Sequence, residues 1–334
     1  MAKKKILGIE IGNCRLKIAV CSDYNLERLI TADLPDNLVQ EDEIVSWDAM
    51  AEFIKEVIKE NKISVKSTAV VIPEKLVYTK HVVMPAMTVD QLKVNLPYEF
   101  HDYITEEKDK YFYDYAVMNK TFDDDGNLTE MELMAVAILK ETVNQYKTMF
   151  RRAGLRLNLV APDYCAIRNI IKDYEEVNDL KEPGDYAVLD IGHKTVKLYF
   201  FTKGEYEITR VMEAGCEEID RHIAENLNVE EHIARIYKET NKDDILHEPG
   251  CEEIYSQMAI EVMRVLNFYN FNHPDNGLDA LYYCGGGSLI TPLIDAIAGA
   301  TEVKVVSLDN LLTDKYEDTT KILQGPQALG ITWE

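Results

Sequence analysis

Apolar and polar residues alternate through two widely separated stretches of the chain, and the two stretches resemble each other. Gly8-Ile9-Glu10-Ile11-Gly12-Asn13-Cys14-Arg15-Leu16-Lys17-Ile18 can be set beside Val188-Leu189-Asp190-Ile191-Gly192-His193-Lys194-Thr195-Val196-Lys197-Leu198. An acid, an isoleucine, a glycine, then a lysine seven places after the acid recur in the same order. Each copy predicts an apolar strand, a tight turn and a second, alternating strand. The alternating residues are Leu16, Ile18 and Val20 in one copy and Val196, Leu198 and Phe200 in the other. Two such units with an acid at the turn predict a duplicated domain with a shared cleft.

Between them the pattern changes, over roughly 68 to 158. A strand is predicted at 68–72 and another at 77–84. Thr88 and Gln91 fit a capping box at a helix start. Strands at 111–117 and 132–139 flank an Asp124-Asp125-Gly126-Asn127 turn. A helix over 141–153 stops at Gly154, a left-handed terminator. This reads as a small α+β insertion. After Lys181-Glu182-Pro183-Gly184-Asp185 come the second hairpin and a helix over 254–270, with Met258, Val262, Val265 and Phe268 assigned to one face. A strand at 280–284 then runs through Gly285-Gly286-Gly287-Ser288 into a helix ending near 297.

Composition narrows the class. Of 334 residues, 46% are apolar and 28% charged, which predicts a packed globular protein and not disorder. A net charge of -23 repels a phosphate backbone and argues against nucleic acid as a partner. The basic cluster Lys3-Lys4-Lys5 precedes the first strand and is read as solubilising it. Six scattered cysteines contain no C-x-x-C, so reduced thiols are expected, although an even number leaves a disulfide set formally open. No apolar run approaches the ~20 residues that cross a bilayer. A cytosolic location is therefore expected, unless a partner carries the chain to a membrane.

The two turns carry the candidate chemistry. Glycine lets the backbone approach a phosphate, and a carboxylate at the turn can hold Mg2+ through water. Either copy alone reads as an ordinary hairpin with an exposed acid; the pair plus Gly285-Gly286-Gly287 favours a ligand site. The triple glycine could let a nucleobase or ribose lie against bare backbone. Asp123, Asp125, Gly126 and Glu132 imitate a calcium loop, but Thr121 lacks the first carboxylate and the flanks alternate as strands. That segment is read as a solvated hairpin tip. The seven histidines form no zinc-type pair, and neither a nucleophile elbow nor a Walker motif is present. His193, inside the second turn, either touches a ligand or is simply exposed.

This ordered set resembles the actin/Hsp70/sugar-kinase superfamily, and more closely the PilM family of type IV pilus assembly proteins, relatives of FtsA. Leu96-Pro97-Tyr98-Glu99-Phe100-His101-Asp102-Tyr103-Ile104, Tyr113-Asp114-Tyr115, Glu132-Leu133-Met134-Ala135-Val136-Ala137 and Phe150-Arg151-Arg152-Ala153-Gly154-Leu155 carry the closer likeness. Ala161-Pro162-Asp163-Tyr164-Cys165-Ala166 falls at the family's first connecting segment. The resemblance implies an α/β fold: duplicated actin-like (ribonuclease H-like) domains flanking a nucleotide cleft, with an inserted α+β subdomain. It places the first actin-like part at 1–67 and 159–180, the insertion at 68–158 and the second domain at 181–334.

The same resemblance implies ATP and Mg2+ as ligands. Gly12, Asn13, Lys17, Gly192 and Thr195 become phosphate contacts, and Glu10 and Asp190 the Mg2+-side acids. Asp163 matches an acid that orients water and is the catalytic candidate. Gly215 opens a ligand-facing turn, Lys238 falls near the adenosine, and Gly285, Gly286 and Gly287 form the adenosine turn. Gln327-Ala328-Leu329-Gly330 resembles the closing helix. Departures are also plain. Glu10 is one methylene longer than the usual Asp, which would displace a metal-bound water by about 1 Å and cost on the order of 100-fold in rate. Asn13 and Cys14 replace small hydroxyl residues, and Arg235 stands where a Glu often precedes the adenosine-side Lys. Nucleotide binding with slow or absent hydrolysis is expected.

In function, the family resemblance implies a cytoplasmic adaptor of a pilus, competence or secretion platform. It would reach the inner face of the membrane through the tail of a PilN-like protein docked beside the insertion, with self-association left open. ATP would stabilise the closed cleft by linkage. An FtsA-like division filament is the first alternative; the chain ends at Ile331-Thr332-Trp333-Glu334, directly after the closing helix, which counts against it. A small-molecule kinase is the second, and it would need a general base beyond Asp163.

Overall fold

The computed structural model describes residues 5–314, 316 and 318–333; Lys3 and Lys4 of the basic cluster, and Glu334, lie outside them. The chain begins with β1 (Lys5–Ile11), β2 (Arg15–Ser22) and β3 (Asn25–Asp33), an antiparallel meander. A two-residue ribbon, β4 (Val39–Gln40) and β5 (Glu43–Ile44), leads to helix α1 (Trp47–Glu60), which Ser46 caps through the Ala49 N–H. Strand β6 (Ser67–Ile72) then returns parallel to β1. Next come β7 (Val77–Pro85), α2 (Val89–Asn95), β8 (Tyr111–Phe122) and β9 (Leu128–Leu139). After them α3 (Lys140–Arg152), β10 (Arg156–Pro162) and α4 (Asp163–Val177) complete the first half.

The second half repeats the plan. A meander of β11 (Tyr186–Ile191), β12 (Val196–Thr202) and β13 (Glu205–Met212) is followed by α5 (Glu217–Leu227), α6 (Glu231–Glu239) and α7 (Pro249–Asn272). Then come β14 (Ala280–Cys284), α8 (Thr291–Ala300), β15 (Lys304–Ser307) and the short helices α9 (Thr320–Gln324) and α10 (Pro326–Gly330). The sheet orders are β3-β2-β1-β6-β10 and β13-β12-β11-β14-β15. In each, the three meander strands are antiparallel and the last two join in parallel. The echo in the sequence is thus a repeated sheet.

Alternation fixes both faces of each sheet. On β2, Leu16, Ile18 and Val20 enter a core with Met50 and Ile54 of α1 and Phe150 of α3. Ala19 and Cys21, on the opposite face, meet Ala328 and Leu329 of α10. On β12, Leu198 and Phe200 pack with α5 and α7, while Tyr199 and Phe201 meet Ile167 and Ile171 of α4. Helix α4 therefore joins the two halves, helped by Tyr164 stacked on Tyr206 at 3.7 Å between centroids. Gly8 is needed because α10 lies directly on the β1 backbone.

Several expectations are corrected. The strand expected to open the insertion at 68 hydrogen-bonds between β1 and β10, so it belongs to the first sheet. Likewise α3 buries Tyr146, Met149 and Phe150 in the first core. What remains of the insertion is the β7-β9-β8 sheet with α2, around Leu92, Phe100, Tyr111 and Leu133. Ser67–Ile72 is an apolar run buried on both faces, as a central strand is, but the run alone does not say which strands flank it; pairing does. The end of the chain also leaves the second half, since α10 packs on α4 and β1. Phe268 is 59% exposed, because the buried stripe of α7 runs through Met258, Val262, Leu266 and Tyr269. The capping box of Thr88 and Gln91 forms, Gly154 ends α3 at φ +81°, and the Asp123 carboxylate caps its own hairpin tip through the Asp125 and Asn127 N–H groups.

A Cβ at position 8 would lie 1.8 Å from the Ala328 carbonyl oxygen. Gly8→Ala should therefore cost about 3 kcal/mol or more, as overpacking against immovable backbone does, measured by urea unfolding. A loss under about 0.5 kcal/mol would show that α10 does not dock there.

Candidate functional site

Both hairpin turns and the glycine turn after β14 open into one cavity of about 770 Å3. Glu10, Gly12, Asn13 and Lys17 line it from the first hairpin, and Asp190, Gly192 and Thr195 from the second. Gly286 and Gly287, Asp163 at the start of α4, and Lys238 of α6 complete the set brought together. Gly215 and Gly285 stand behind the wall. A Cβ on Gly215 would lie 2.4 Å from the His193 carbonyl oxygen, and one on Gly285 2.3 Å from Asp190 Oδ1. Gly285 also holds φ +88° and donates its N–H to the Leu323 carbonyl at 2.7 Å. These two glycines let the walls close up. Gly286 meets nothing within 4 Å of a Cβ and is open to the cavity.

The turns are built alike. Gly12 donates to the Arg15 carbonyl at 2.9 Å, and Gly192 to that of Thr195 at 3.0 Å. Register places Glu10 opposite Lys17 and Asp190 opposite Lys197, which is the physical meaning of the seven-residue spacing. The lysines then diverge. Lys17 closes on Glu10, whereas Lys197 reaches Asp163 Oδ2 at 2.6 Å. Asp190 instead accepts from Gln327 Nε2 at 2.6 Å. The Asp163 carboxylate also accepts from the Tyr199 hydroxyl at 3.0 Å and the Tyr164 N–H at 2.9 Å. Three donors already hold it.

Electrostatics follow from burial. Burial pushes the Glu10 carboxyl up, with Lys17 opposing and Asp190 adding to the rise. Burial also raises Asp190, against the pull of Lys17 and Lys197. For Lys17, burial works against the charge, but Glu10 and Asp190 outweigh it and its pKa lies above the usual lysine value. Glu10 Oε2 is buried without a hydrogen-bond partner. An orphaned carboxylate oxygen near a second buried carboxylate is what a hydrated divalent cation relieves. Glu10 and Asp190 thus fit a Mg2+-type ion.

At the other end, Lys238 Nζ lies 2.7 Å from Asp220 Oδ1, a carboxylate only 1% exposed. His193 and Arg235 approach the same carboxylate at 3.6 and 3.8 Å. Burial, then the charges of Arg235 and Lys238, push His193 down to about 4, so it stays neutral. Asn13 spends its amide on Asp42, donating at 2.6 Å and accepting from the Asp42 N–H at 3.1 Å. Sequence reasoning missed Lys197, Arg15, Asp42 and Gln327 as lining groups. Lys197 was visible in the echo. Arg15, bonded to Asp33, Glu239 and Gln324, had no such signal.

Comparison with known proteins gives consistent results. A family model described as type IV pilus assembly protein PilM matches residues 8–322. Among solved structures, the chain is similar to a PilM-PilN type IV pilus biogenesis complex, with TM-score 0.78 and 20% identity, covering 98% of this chain and 97% of that one. It is similar to the ethanolamine utilization protein EutJ from Carboxydothermus hydrogenoformans, with TM-score 0.62 and 13% identity over 100% of this chain and 90% of that one. An archaeal actin homolog, Ta0583, in complex with ADP matches at TM-score 0.50 and 11% identity over 98% of each. Likenesses at these identities establish the fold, which is actin-like.

Because His193 is held neutral in the fold, it contributes stability that is full above about pH 6.5 and lost as pH falls towards 4. The window amounts to about 3 kcal/mol. Raised Glu10 and Asp190 act in the opposite sense, but they are common to both proteins when wild type is compared with His193→Gln. Urea unfolding from pH 7 to pH 4 should find the wild type losing about 3 kcal/mol relative to His193→Gln. Parallel curves would mean that His193 titrates normally.

Proposed function

We propose that this chain, which belongs to the type IV pilus assembly protein PilM family, is an ATP-binding adaptor of the pilus inner-membrane platform that holds the cytoplasmic tail of a PilN-like protein. The supporting observation is the convergence of three turns, distant in sequence, on one cavity. In this proposal the glycine turns at 12 and 192, with Thr195, Asn13 and Lys17, cradle the phosphates. Glu10 and Asp190 hold Mg2+ through water, and Gly286, Gly287 and Lys238 border the nucleoside. Gly215 and Gly285 act by letting those walls approach. Bound Mg2+ would supply charge neutralisation at the phosphates.

Hydrolysis is proposed to be slow or absent. Attack on a phosphate needs a water oriented by a free acceptor. Asp163 already accepts from Lys197, Tyr199 and Tyr164, and of the two Glu10 oxygens one is paired with Lys17 while the other is assigned to the Mg2+ hydration shell. The same shortage weighs against the kinase alternative, which needs a base for an acceptor hydroxyl. ATP then acts by binding: it bridges the two sheets and stabilises the closed cleft through mass action.

The partner proposal rests on family membership and on the likeness to a structure of a PilM-PilN complex. No helix among the described residues is long and apolar enough to cross a membrane. We assign membrane proximity to the partner's tail, docked beside the insertion through main-chain and pocket contacts. The chain would then work from the cytoplasmic face.

Gly286→Phe places a ring in the cavity from a position where a Cβ meets nothing. Calorimetric titration should give saturable Mg2+-dependent ATP binding to the wild type and at least a tenfold weaker affinity in the variant, about 1.4 kcal/mol or more. The melting temperature without nucleotide should stay unchanged. Equal ATP affinity in both proteins would remove the cleft from the account, and failure of a PilN-type tail peptide to bind would remove the adaptor role.

A further inference from the structure

The segment that walls one end of the cleft runs directly into a second cluster of donor groups. Lys242–His247 is a short 3-10 stretch entered through Asn241. Asn241, Asp243 and Asp244 hold left-handed backbone, at φ 44°, 54° and 61°. Three non-glycine residues so placed store strain that surrounding contacts must hold. Leu246 and His247 line the cleft, and the next residue, Glu248, caps α7. Glu248 Oε2 accepts from the Gly250 N–H at 3.0 Å and the Cys251 N–H at 3.4 Å. The same oxygen lies 2.7 Å from His222 Nε2, on α5. Cys251 adds a buried thiol, and ligand atoms of the three residues lie within 4.8 Å of one another. The packing is close: a Cβ on Gly250 would sit 2.2 Å from the imidazole.

We propose that His222, Glu248 and Cys251 are ligands of a divalent metal ion of the zinc class, which fastens α5 to the start of α7 and steadies the strained segment between cleft and helix. A nitrogen, an oxygen and a sulfur donor form a set that zinc takes, whereas magnesium and calcium prefer oxygen alone. Three protein ligands leave a fourth position for water. Positions 222, 248 and 251 come together only through the fold, which is why the histidine spacings gave no zinc signal. A plain cap with a His–Glu pair, beside a thiol packed in the second core against Tyr255, accounts for each group separately; the ion makes the three one set. His222 and Glu248 are 31% and 30% exposed in their side chains, so an ion can enter.

Protons balance simply. Burial pushes the Cys251 thiol up to about 11, so the free protein carries it protonated. On binding, the S–H bond breaks, the proton goes to solvent and the sulfur–metal bond forms. In the free protein His222 Nε2–H donates to Glu248 Oε2; on binding the neutral ring changes tautomer, its proton moving to Nδ1 through solvent, and the Nε2 lone pair goes to the ion. One proton leaves per ion, so affinity rises with pH.

The test is a Co2+ titration of the chelator-treated full chain at pH 8, followed by displacement with Zn2+. One equivalent of Co2+ should produce a sulfur-to-cobalt charge-transfer band, which Zn2+ abolishes. Cys251→Ser should lose the band, and His222→Gln, at a half-exposed ring, should weaken Co2+ binding at least about tenfold while leaving the far-ultraviolet dichroism unchanged. The absence of a band in the wild type would overturn the proposal. So would a band that survives Cys251→Ser, or equal affinity in wild type and His222→Gln.

Discussion

Four charges in the floor of the cleft constrain everything around them. Glu10 and Lys17, Asp190 and Lys197 arise as cross-strand neighbours in two matching hairpins, and each is largely but not wholly buried where the two sheets face the cleft. An isolated buried charge costs several kcal/mol, so none can stand without its partners. Lys17 is held by Glu10, Lys197 by Asp163, and Asp190 by Gln327. Those last two partners belong to α4 and α10, the helices that tie the halves together. The charge network therefore bears on where α4 starts, on the docking of α10 and on Gly285, where a Cβ would meet Asp190; Gly8 is held by the α10 backbone that this docking lays on β1.

The same constraint decides what kind of site this is. Most of the charges lining the cleft are already paired or hydrogen-bonded, which is the basis for the proposal that the site holds a ligand and turns it over slowly or not at all. Glu10 Oε2, buried without a hydrogen-bond partner, marks where an added cation would relieve a cost of desolvation. At the other end, Lys238 and Asp220 neutralise each other while Gly286 and Gly287 leave bare backbone. Family membership in the pilus assembly class accords with a protein whose ligand organises its shape.

Much of this was legible in the sequence, for a specific reason. The hairpins repeat local information: strand alternation, a glycine at each turn and an acid–lysine spacing that register converts into contact. The third turn and the capping box of Thr88 were local as well. Sheet membership was not, because the apolar run Ser67–Ile72 does not name its neighbours and only pairing assigns it to the first sheet. The fates of Asp163 and Asn13 were equally hidden, since their partners Lys197 and Asp42 lie 34 and 29 residues away in the chain. Contacts of that kind appear only once the sheets are assembled.

The central claim is that three distant turns serve one ligand at once. Amide hydrogen exchange with and without saturating Mg2+-ATP tests it most directly. The account predicts simultaneous protection at 12–14, 192–195 and 285–288, with smaller changes across the insertion. Protection confined to one of the three segments, or absent from all, would contradict it.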